Sequence, residues 1–166
     1  MNTGSEPRPR RAEWGDAVSL PLGGARLLVR PAWRGGALAR LALRLAPGGP
    51  PPRSPRDRDL ARRLAAWLAG DPDAFGGLPL DPGGTPFQHR VWTAARAIPR
   101  GRTRTYGALA GELGTAPRAV GRALAANPLP LVVPCHRVVG AGGALTGFSA
   151  GLRLKRLLLD LEQEAA

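Results

Sequence analysis

One cysteine, Cys135, stands directly before a histidine in the run Pro134-Cys135-His136-Arg137. A thiol reacts as its thiolate, and a neighbouring base or cation lowers the free energy needed to form it. A single cysteine can form neither an intramolecular disulfide nor a cysteine-rich zinc site. The pair therefore predicts a nucleophile on a short turn between apolar segments. The alternative is a small buried apolar side chain, the usual setting of a free cysteine.

Helical segments flank this pair in the second half of the chain. Thr85-Pro86 is a cap followed by proline at the first helical position, and Thr105 and Pro117 begin two further short helices. The latter two are joined by a glycine-containing turn, which predicts a helix-turn-helix. A last helix covers 152–164, because leucines recur there at helical spacing. They are Leu154, Leu157, Leu158 and Leu161.

The first half predicts a small antiparallel sheet with one helix. Residues 17–46 alternate as strands do, glycine pairs mark two turns, and Asp57 can cap a helix. We expect an α+β fold, with an N-terminal antiparallel β-sheet and helix before a helical domain whose helix-turn-helix is winged-helix-like. The expected boundaries are a disordered tail over 1–14, an N-terminal domain over 15–80 and a C-terminal domain over 84–164.

The charge favours a polyanionic partner. The chain has 24 basic and 12 acidic residues, and only Lys155 is a lysine. Neutralising phosphates with such residues releases counterions and drives binding to nucleic acid. A generic basic protein explains the same charge equally well. From residue 84 onward there are 11 basic and 4 acidic residues, so the half with the cysteine is the more basic.

The composition of the chain predicts a cytoplasmic protein. No apolar run reaches transmembrane length, and the N-terminus lacks the core of a signal peptide. One unpaired thiol suits a reducing compartment. We therefore expect no membrane partner.

Ordered motifs run from Thr85 towards Glu162. They are Thr85-Pro86-Phe87-Gln88, Val91-Trp92, Ile98-Pro99-Arg100-Gly101, Tyr106-Gly107, Arg118-Ala119-Val120-Gly121, Asn127-Pro128, Pro134-Cys135-His136-Arg137-Val138, and Lys155 before Leu157-Leu158. In this order they resemble the methylated-DNA–protein-cysteine methyltransferases, which repair guanine alkylated on its exocyclic oxygen. Any one of them is a weak signal, whereas together and in order they are a strong one.

The resemblance implies an irreversible transfer of the alkyl group to Cys135, so one protein repairs one lesion without any cofactor or metal. His136 draws the thiol proton through a water molecule, and Glu162 orients that histidine. Tyr106 protonates the leaving guanine, and Asn127 braces the cysteine turn. Taken alone, Glu162 is a solvated helix-end acid and Tyr106 a core residue with a wet hydroxyl.

The implied partner is double-stranded DNA containing alkylated guanine, with O4-alkylthymine as a second lesion, bound through the minor groove by a monomeric protein. The lesion is flipped out of the stack, and Arg118 fills the gap. Taken alone, Arg118 is a surface contact to phosphate. The further residues implied at the DNA are Thr105, Ala119, Gly121 and Arg122. Those implied around the base are Pro134, Val138, Val139, Phe148 and Ser149.

Three departures from the family pattern are visible. Phe148 stands where tyrosine is usual, which keeps stacking but removes a hydroxyl. The interval from Tyr106 to Arg118 is about two residues shorter than usual, which requires a tight turn at 114–116. Some relatives bind zinc in the N-terminal domain, but residues before 84 include neither cysteine nor histidine.

Three rival functions belong to other classes. A lesion-recognition protein related to the family lacks the cysteine, so Cys135 argues against it. A cysteine hydrolase does not explain the basic helix-turn-helix. A winged-helix regulator explains the helices and the charge but leaves the cysteine motif without a purpose.

Overall fold

The computed structural model describes residues 11–49 and 57–164. An antiparallel sheet is formed by β1 (Glu13–Trp14), β2 (Val18–Leu22), β3 (Ala25–Arg34) and β4 (Ala37–Ala46). β1 and β2 pair with successive parts of one edge of β3, and β4 pairs with the other edge. The predicted turns at Gly23-Gly24 and Gly35-Gly36 have positive φ at both residues, as tight hairpin turns require.

The predicted helices form where their caps indicate. The first is α1 (Arg58–Leu68), where the Asp57 carboxylate accepts from the Leu60 amide. α2 (Pro86–Arg96) has a capping box between Thr85 and Gln88. The last is α5 (Leu152–Glu164).

The helix-turn-helix consists of α3 (Tyr106–Leu113) and α4 (Pro117–Ala125). Thr105 caps α3, and Gly114 ends it in the left-handed conformation, at φ 62. Ala116 precedes α4 without a side-chain cap, so the tight turn at 114–116 joins the two helices directly. The predicted α+β fold with a helix-turn-helix is confirmed.

Two apolar clusters hold the fold together. The first joins the inner face of the sheet and α1 to residues from the second half, including Leu129, Leu131, Leu154 and Leu158. The second joins α2, α3 and α4 to the turn that carries Cys135. Because α5 packs on the sheet and also borders the cysteine turn, it connects both halves.

The predicted disordered tail over 1–14 is wrong at residues 13 and 14. Residues 1–10 lie outside the described residues, whereas Glu13–Trp14 pair with β3 as strand β1. The domain boundaries at 15–80 and 84–164 stay predictions. The chain around residue 80, where the first of these predicted domains ends, is anchored to β4. Leu38 donates a backbone hydrogen bond to the Pro79 carbonyl at 2.8 Å and accepts one from the Asp81 amide at 2.9 Å. In the described part of the chain, no helix has the length and apolar character of a membrane span.

Candidate active site

Cys135 begins a single 3-10 turn, Cys135–Arg137, that leads into a two-residue strand, β6 (Val138–Val139). β6 pairs in parallel with β5 (Arg104–Thr105), and the register sets Thr105 against Val139. Tyr106 follows Thr105 directly at the start of α3. The short pair therefore fixes Tyr106 beside the cysteine turn, although 29 positions separate it from Cys135 in the sequence.

Asn127 braces the approach to the cysteine. Its Nδ2 donates to the Val133 carbonyl at 3.0 Å and to the Cys135 sulfur at 3.4 Å, while its Oδ1 accepts from the Leu129 amide at 2.9 Å. Leu131, within this approach, has φ 78, a conformation that costs a non-glycine residue roughly 1–2 kcal/mol. The side chain of Leu131 is buried, and this packing holds the backbone there.

Glu162 lies under the cysteine turn and is fully buried. Its Oε1 is 2.9 Å from His136 Nε2, and Arg137 donates to both of its oxygens at 2.8 Å. The Gly101 amide adds a longer contact at 3.4 Å. Burial alone would raise the pKa of Glu162, but the bonds from His136 and Arg137 outweigh it and hold the pKa at about 2. The carboxylate is therefore ionised.

His136 is a neutral imidazole in this setting. Burial lowers the pKa of His136 below its usual value, although the Glu162 carboxylate opposes that effect. Because ionised Glu162 can only accept, Nε2 must carry the proton and Nδ1 must keep its lone pair. Nδ1 is buried without a hydrogen-bond partner among the described residues, so it is available as a base. The Trp67 ring of α1 meets the imidazole edge-on, with 6.3 Å between ring centres.

The thiol of Cys135 is protonated at rest. Burial raises the pKa of the Cys135 thiol, and the Asn127 amide and the charge of Lys155 offset this only in part. The side chain is 7% exposed. Nucleophilic attack by this sulfur therefore requires a base to remove its proton.

Cys135 opens onto a cavity of about 760 Å³. One wall is α4, with Arg118, Gly121 and Arg122, and the facing wall is the loop 146–149. The cavity is lined by Tyr106, Pro117, Arg118, Gly121, Arg122, Leu124, Ala125, Cys135, Thr146, Gly147, Phe148 and Ser149. It is the size of a site for a small organic group.

Several of the predicted pocket residues lie elsewhere. Val138 is fully buried in the apolar cluster of the helical half. Pro134 and Val139 line two other cavities. Phe148 and Ser149, in contrast, line the cavity at Cys135, and the role of all five residues at the base stays a prediction. Thr105 and Ala119 also lie outside the lining of this cavity.

The hydroxyl of Tyr106 reaches the loop on the far side of the cavity. It lies 3.1 Å from the Gly147 carbonyl and 3.3 Å from the Thr146 carbonyl, so its one proton is shared between them. Burial raises the pKa of Tyr106, which keeps this proton in place at neutral pH. Donation to a ligand in the cavity requires the O–H to turn away from the loop.

Two residues of the site had no predicted role. Arg137 is the main donor to Glu162 and also donates to the Ile98 carbonyl at 2.7 Å, and no local pattern in the sequence reveals either bond. Lys155 is fully buried, with Nζ at 2.6 and 2.7 Å from the carbonyls of Val138 and Thr146. The sequence did contain a feature that could have indicated a role for Lys155. It is the one lysine of the chain and stands beside Leu154 on the apolar stripe of α5.

Among the described residues, no group of three or more histidine, cysteine, aspartate or glutamate side chains is placed to hold a metal ion. The fold and the site together define a helix-turn-helix protein whose one cysteine opens onto a cavity beside a buried histidine–carboxylate pair.

Comparison with known proteins narrows this class. Residues 86–164 match the model of the 6-O-methylguanine DNA methyltransferase DNA-binding domain. A methylated-DNA–protein-cysteine methyltransferase from Methanosarcina acetivorans is 50% identical over 107 residues, which cover 63% of this chain and 68% of that relative.

Solved structures extend the similarity to nearly the whole chain. Mycobacterium tuberculosis O6-methylguanine methyltransferase has a TM-score of 0.73 at 35% identity and covers 94% of this chain and 95% of its own. The same organism's OGT in complex with DNA has a TM-score of 0.70 at 36% identity, covering 93% and 94%. This chain belongs to the methylated-DNA–protein-cysteine methyltransferase family, the enzymes of DNA alkyl repair, and DNA is its partner.

Proposed function

We propose that the protein removes the alkyl group from O6-alkylguanine in duplex DNA and transfers it irreversibly to its own Cys135. One observation carries this proposal: the Cys135 sulfur, the Tyr106 hydroxyl and Arg118 of the helix-turn-helix line one cavity, with the His136–Glu162 pair beside it. That cavity brings a nucleophile, a proton donor and a DNA-binding helix together.

The transfer is a single displacement at the alkyl carbon. The thiol proton passes through a water molecule to His136 Nδ1, and the resulting imidazolium is stabilised by Glu162. The thiolate then forms the sulfur–carbon bond while the bond from carbon to the guanine oxygen breaks with its electron pair. Tyr106 supplies a proton to the leaving guanine. The His136 imidazolium then releases its proton to water and Tyr106 regains one from water, so overall the thiol loses a proton and gains the alkyl group, while guanine loses the alkyl group and gains a proton.

Access to the lesion requires base flipping, because the alkyl carbon is not reachable inside the stack. Arg118 stands at the start of α4, exposed and at the rim of the cavity. We assign to it the filling of the gap from the minor groove, where a planar cation can stack and hydrogen-bond. Arg122, one turn along α4, supplies a neighbouring phosphate contact. O4-alkylthymine is the second lesion of this proposal.

The chemistry sets the stoichiometry. A thioether is a poor leaving group, and no described group near Cys135 could regenerate the thiol, so each molecule acts once. The proposal takes the acting species to be a monomer. Asn127 and Glu162 act as positioning residues, the first on the cysteine turn and the second on His136. Phe148 and Ser149 contact the flipped base from the loop.

The test is to mix the protein with a duplex containing one methylated guanine, digest it, and weigh the peptide that carries Cys135. The expected result is one added methyl group, saturating at one per protein. An unmodified Cys135 on a protein that still binds the duplex tightly would instead identify a lesion-recognition protein without transfer chemistry.

A further inference from the structure

The outer face of the sheet carries arginines that the proposed reaction does not use. Strand pairing fixes which residues share this face, because directly opposed residues of an antiparallel pair point to the same side. Across the sheet, its rows are Trp14–Ala32–Arg40, Arg30–Ala42, Ser19–Leu28–Arg44 and Pro21–Arg26–Ala46. We call Arg26, Arg30, Arg40 and Arg44 the arginine face.

The four arginines form a continuous zigzag. Arg40 and Arg44 on β4 flank the position opposite Arg30, and Arg26 is diagonal to Arg44. Diagonal neighbours on one face stand about 7–8 Å apart, so the charges follow one another along a single strip. The opposite side of the sheet packs on the core that contains α1 and parts of the second half. The arginine face therefore points away from the elements that build the cavity.

No carboxylate among the described strand residues on this face balances its charge. Arg40 and Arg44 are exposed and have no ion pair or hydrogen bond with another described residue. Arg30 lies over the Trp14 ring, 5.4 Å from its centre, and Trp14 is 47% exposed. Arg26 is held by Ser19, through its Nε at 2.6 Å and a second bond to the Ser19 carbonyl.

We propose that the arginine face binds the phosphate backbone of a second nucleic-acid segment, separate from the duplex at the cavity. Charge complementarity selects this partner, because guanidinium groups make forked hydrogen bonds to phosphate oxygens. Trp14 offers an exposed aromatic surface at the end of the strip, suited to stacking on a sugar or an unpaired base. The arginine face lets one protein molecule hold a second stretch of DNA while the first stretch is bound at the cavity of Cys135.

The experiment compares Arg40→Glu/Arg44→Glu with a matched reversal, Arg58→Glu/Arg62→Glu, on exposed positions of α1 beyond the other side of the sheet. Binding of a short unmodified duplex is measured in the full chain over a range of salt concentrations. The expected result for the first variant is a salt slope smaller by about two, because two phosphate contacts are lost at about 0.9 each. The α1 variant should keep the wild-type slope.

Transfer from free benzylated guanine to Cys135 is measured in parallel and should be the same in both variants, which also shows that each is folded. If that transfer is absent in the wild type, the proposed function fails while the binding comparison still stands. Equal loss of duplex binding in both variants would overturn the proposal that the arginine face binds DNA, because it would show a general effect of net charge. Binding to vesicles of anionic lipid that depends on Arg40 and Arg44, with unchanged duplex binding, would overturn it in favour of a membrane surface.

Discussion

The Asn127 amide lies 3.4 Å from the Cys135 sulfur while it holds the Val133 carbonyl at 3.0 Å. The same side chain accepts from the Leu129 amide. One amide group thus fixes the backbone before the cysteine and places an N–H against the sulfur. The N–H favours the thiolate over the thiol, because a hydrogen bond to the charged form stabilises it.

Replacing Asn127 should separate these two effects. Asn127→Ala leaves the Val133 carbonyl and the Leu129 amide without this partner and should cost about 1–3 kcal/mol of unfolding free energy. Asn127→Asp keeps the acceptor for Leu129 but places a carboxylate by the sulfur, so it should slow alkyl transfer more than it destabilises the fold. Urea unfolding and the rate of transfer from free benzylated guanine measure the two quantities. If Asn127→Asp transfers at the wild-type rate, the contact with the sulfur has no chemical role.

The Cys135 thiol of the unreacted protein should lose its proton at a higher pH than the thiol of a free cysteine. Burial raises the pKa of Cys135 above that of a free cysteine, so its reaction with iodoacetamide should keep accelerating at pH values where a cysteine peptide has levelled off. The rate is followed by the mass of the modified protein from neutral to alkaline pH. Cys135→Ser is the control, because the chain has one cysteine and this variant should not be modified. A plateau at or below neutral pH would contradict a buried neutral thiol.

Glu162 should make stability depend on pH in the acid range. The pKa of Glu162 is about 2 in the folded protein and near 4.5 in the unfolded chain. Its contribution to the free energy of unfolding is therefore complete above about pH 4.5 and is lost as the pH falls towards 2. At neutral pH, Glu162→Gln should be less stable by about 3 kcal/mol, from 1.36 kcal/mol per pKa unit. The gap should close between about pH 4.5 and 2.

The matched control for this change is Glu164→Gln on the same helix, where the side chain is exposed. Its unfolding free energy should follow the wild type throughout. A constant difference between Glu162→Gln and the wild type from neutral pH to pH 2 would show that the stabilisation does not come from the ionised carboxylate.

Lys155 should hold the cavity loop in place. Lys155→Met keeps the apolar stem but removes the Lys155 donor to the carbonyls of Val138 and Thr146, of which Thr146 keeps only the longer contact with the Tyr106 hydroxyl. Loss of a buried hydrogen-bond partner costs about 1–3 kcal/mol per unsatisfied group. We expect faster amide hydrogen exchange in the loop 146–149, with the rest of α5 unchanged. Arg156→Met, at the next and exposed position, is the control and should leave the loop's exchange at the wild-type rate. Unchanged exchange in Lys155→Met would show that the loop is held by other contacts.

Arg118 should matter for duplex DNA and not for the chemistry. Arg118→Ala should reduce transfer from a duplex at least tenfold more than transfer from free benzylated guanine, because only the duplex requires the base to be flipped. Arg122→Ala, one turn along the same helix, should weaken duplex binding without that selectivity. Equal losses on both substrates would remove Arg118 from the flipping role.

The local elements were predictable because their signals lie within a few residues. Asp57, Thr85 and Thr105 cap helices through side chains that reach amides three positions on, and the glycine pairs need only their own φ freedom. The motif order in 85–162 also indicated the family before any contact was known. The strand formed by Glu13–Trp14 was missed, because two residues paired with a distant strand leave no periodicity.

The amino-acid sequence by itself determined the helices, the hairpins and the family, and it indicated the proposed nucleophile, since these depend on short-range patterns and ordered motifs. Only the tertiary structure decided the protonation of the site. The bonds from His136 and Arg137 keep the buried Glu162 ionised, whereas burial keeps His136 neutral, and neither contact can be read from the sequence of a helix end. It also decided that Val138 faces the core while Phe148 faces the cavity, because the direction of a side chain on a 3-10 turn or a loop depends on what packs against it.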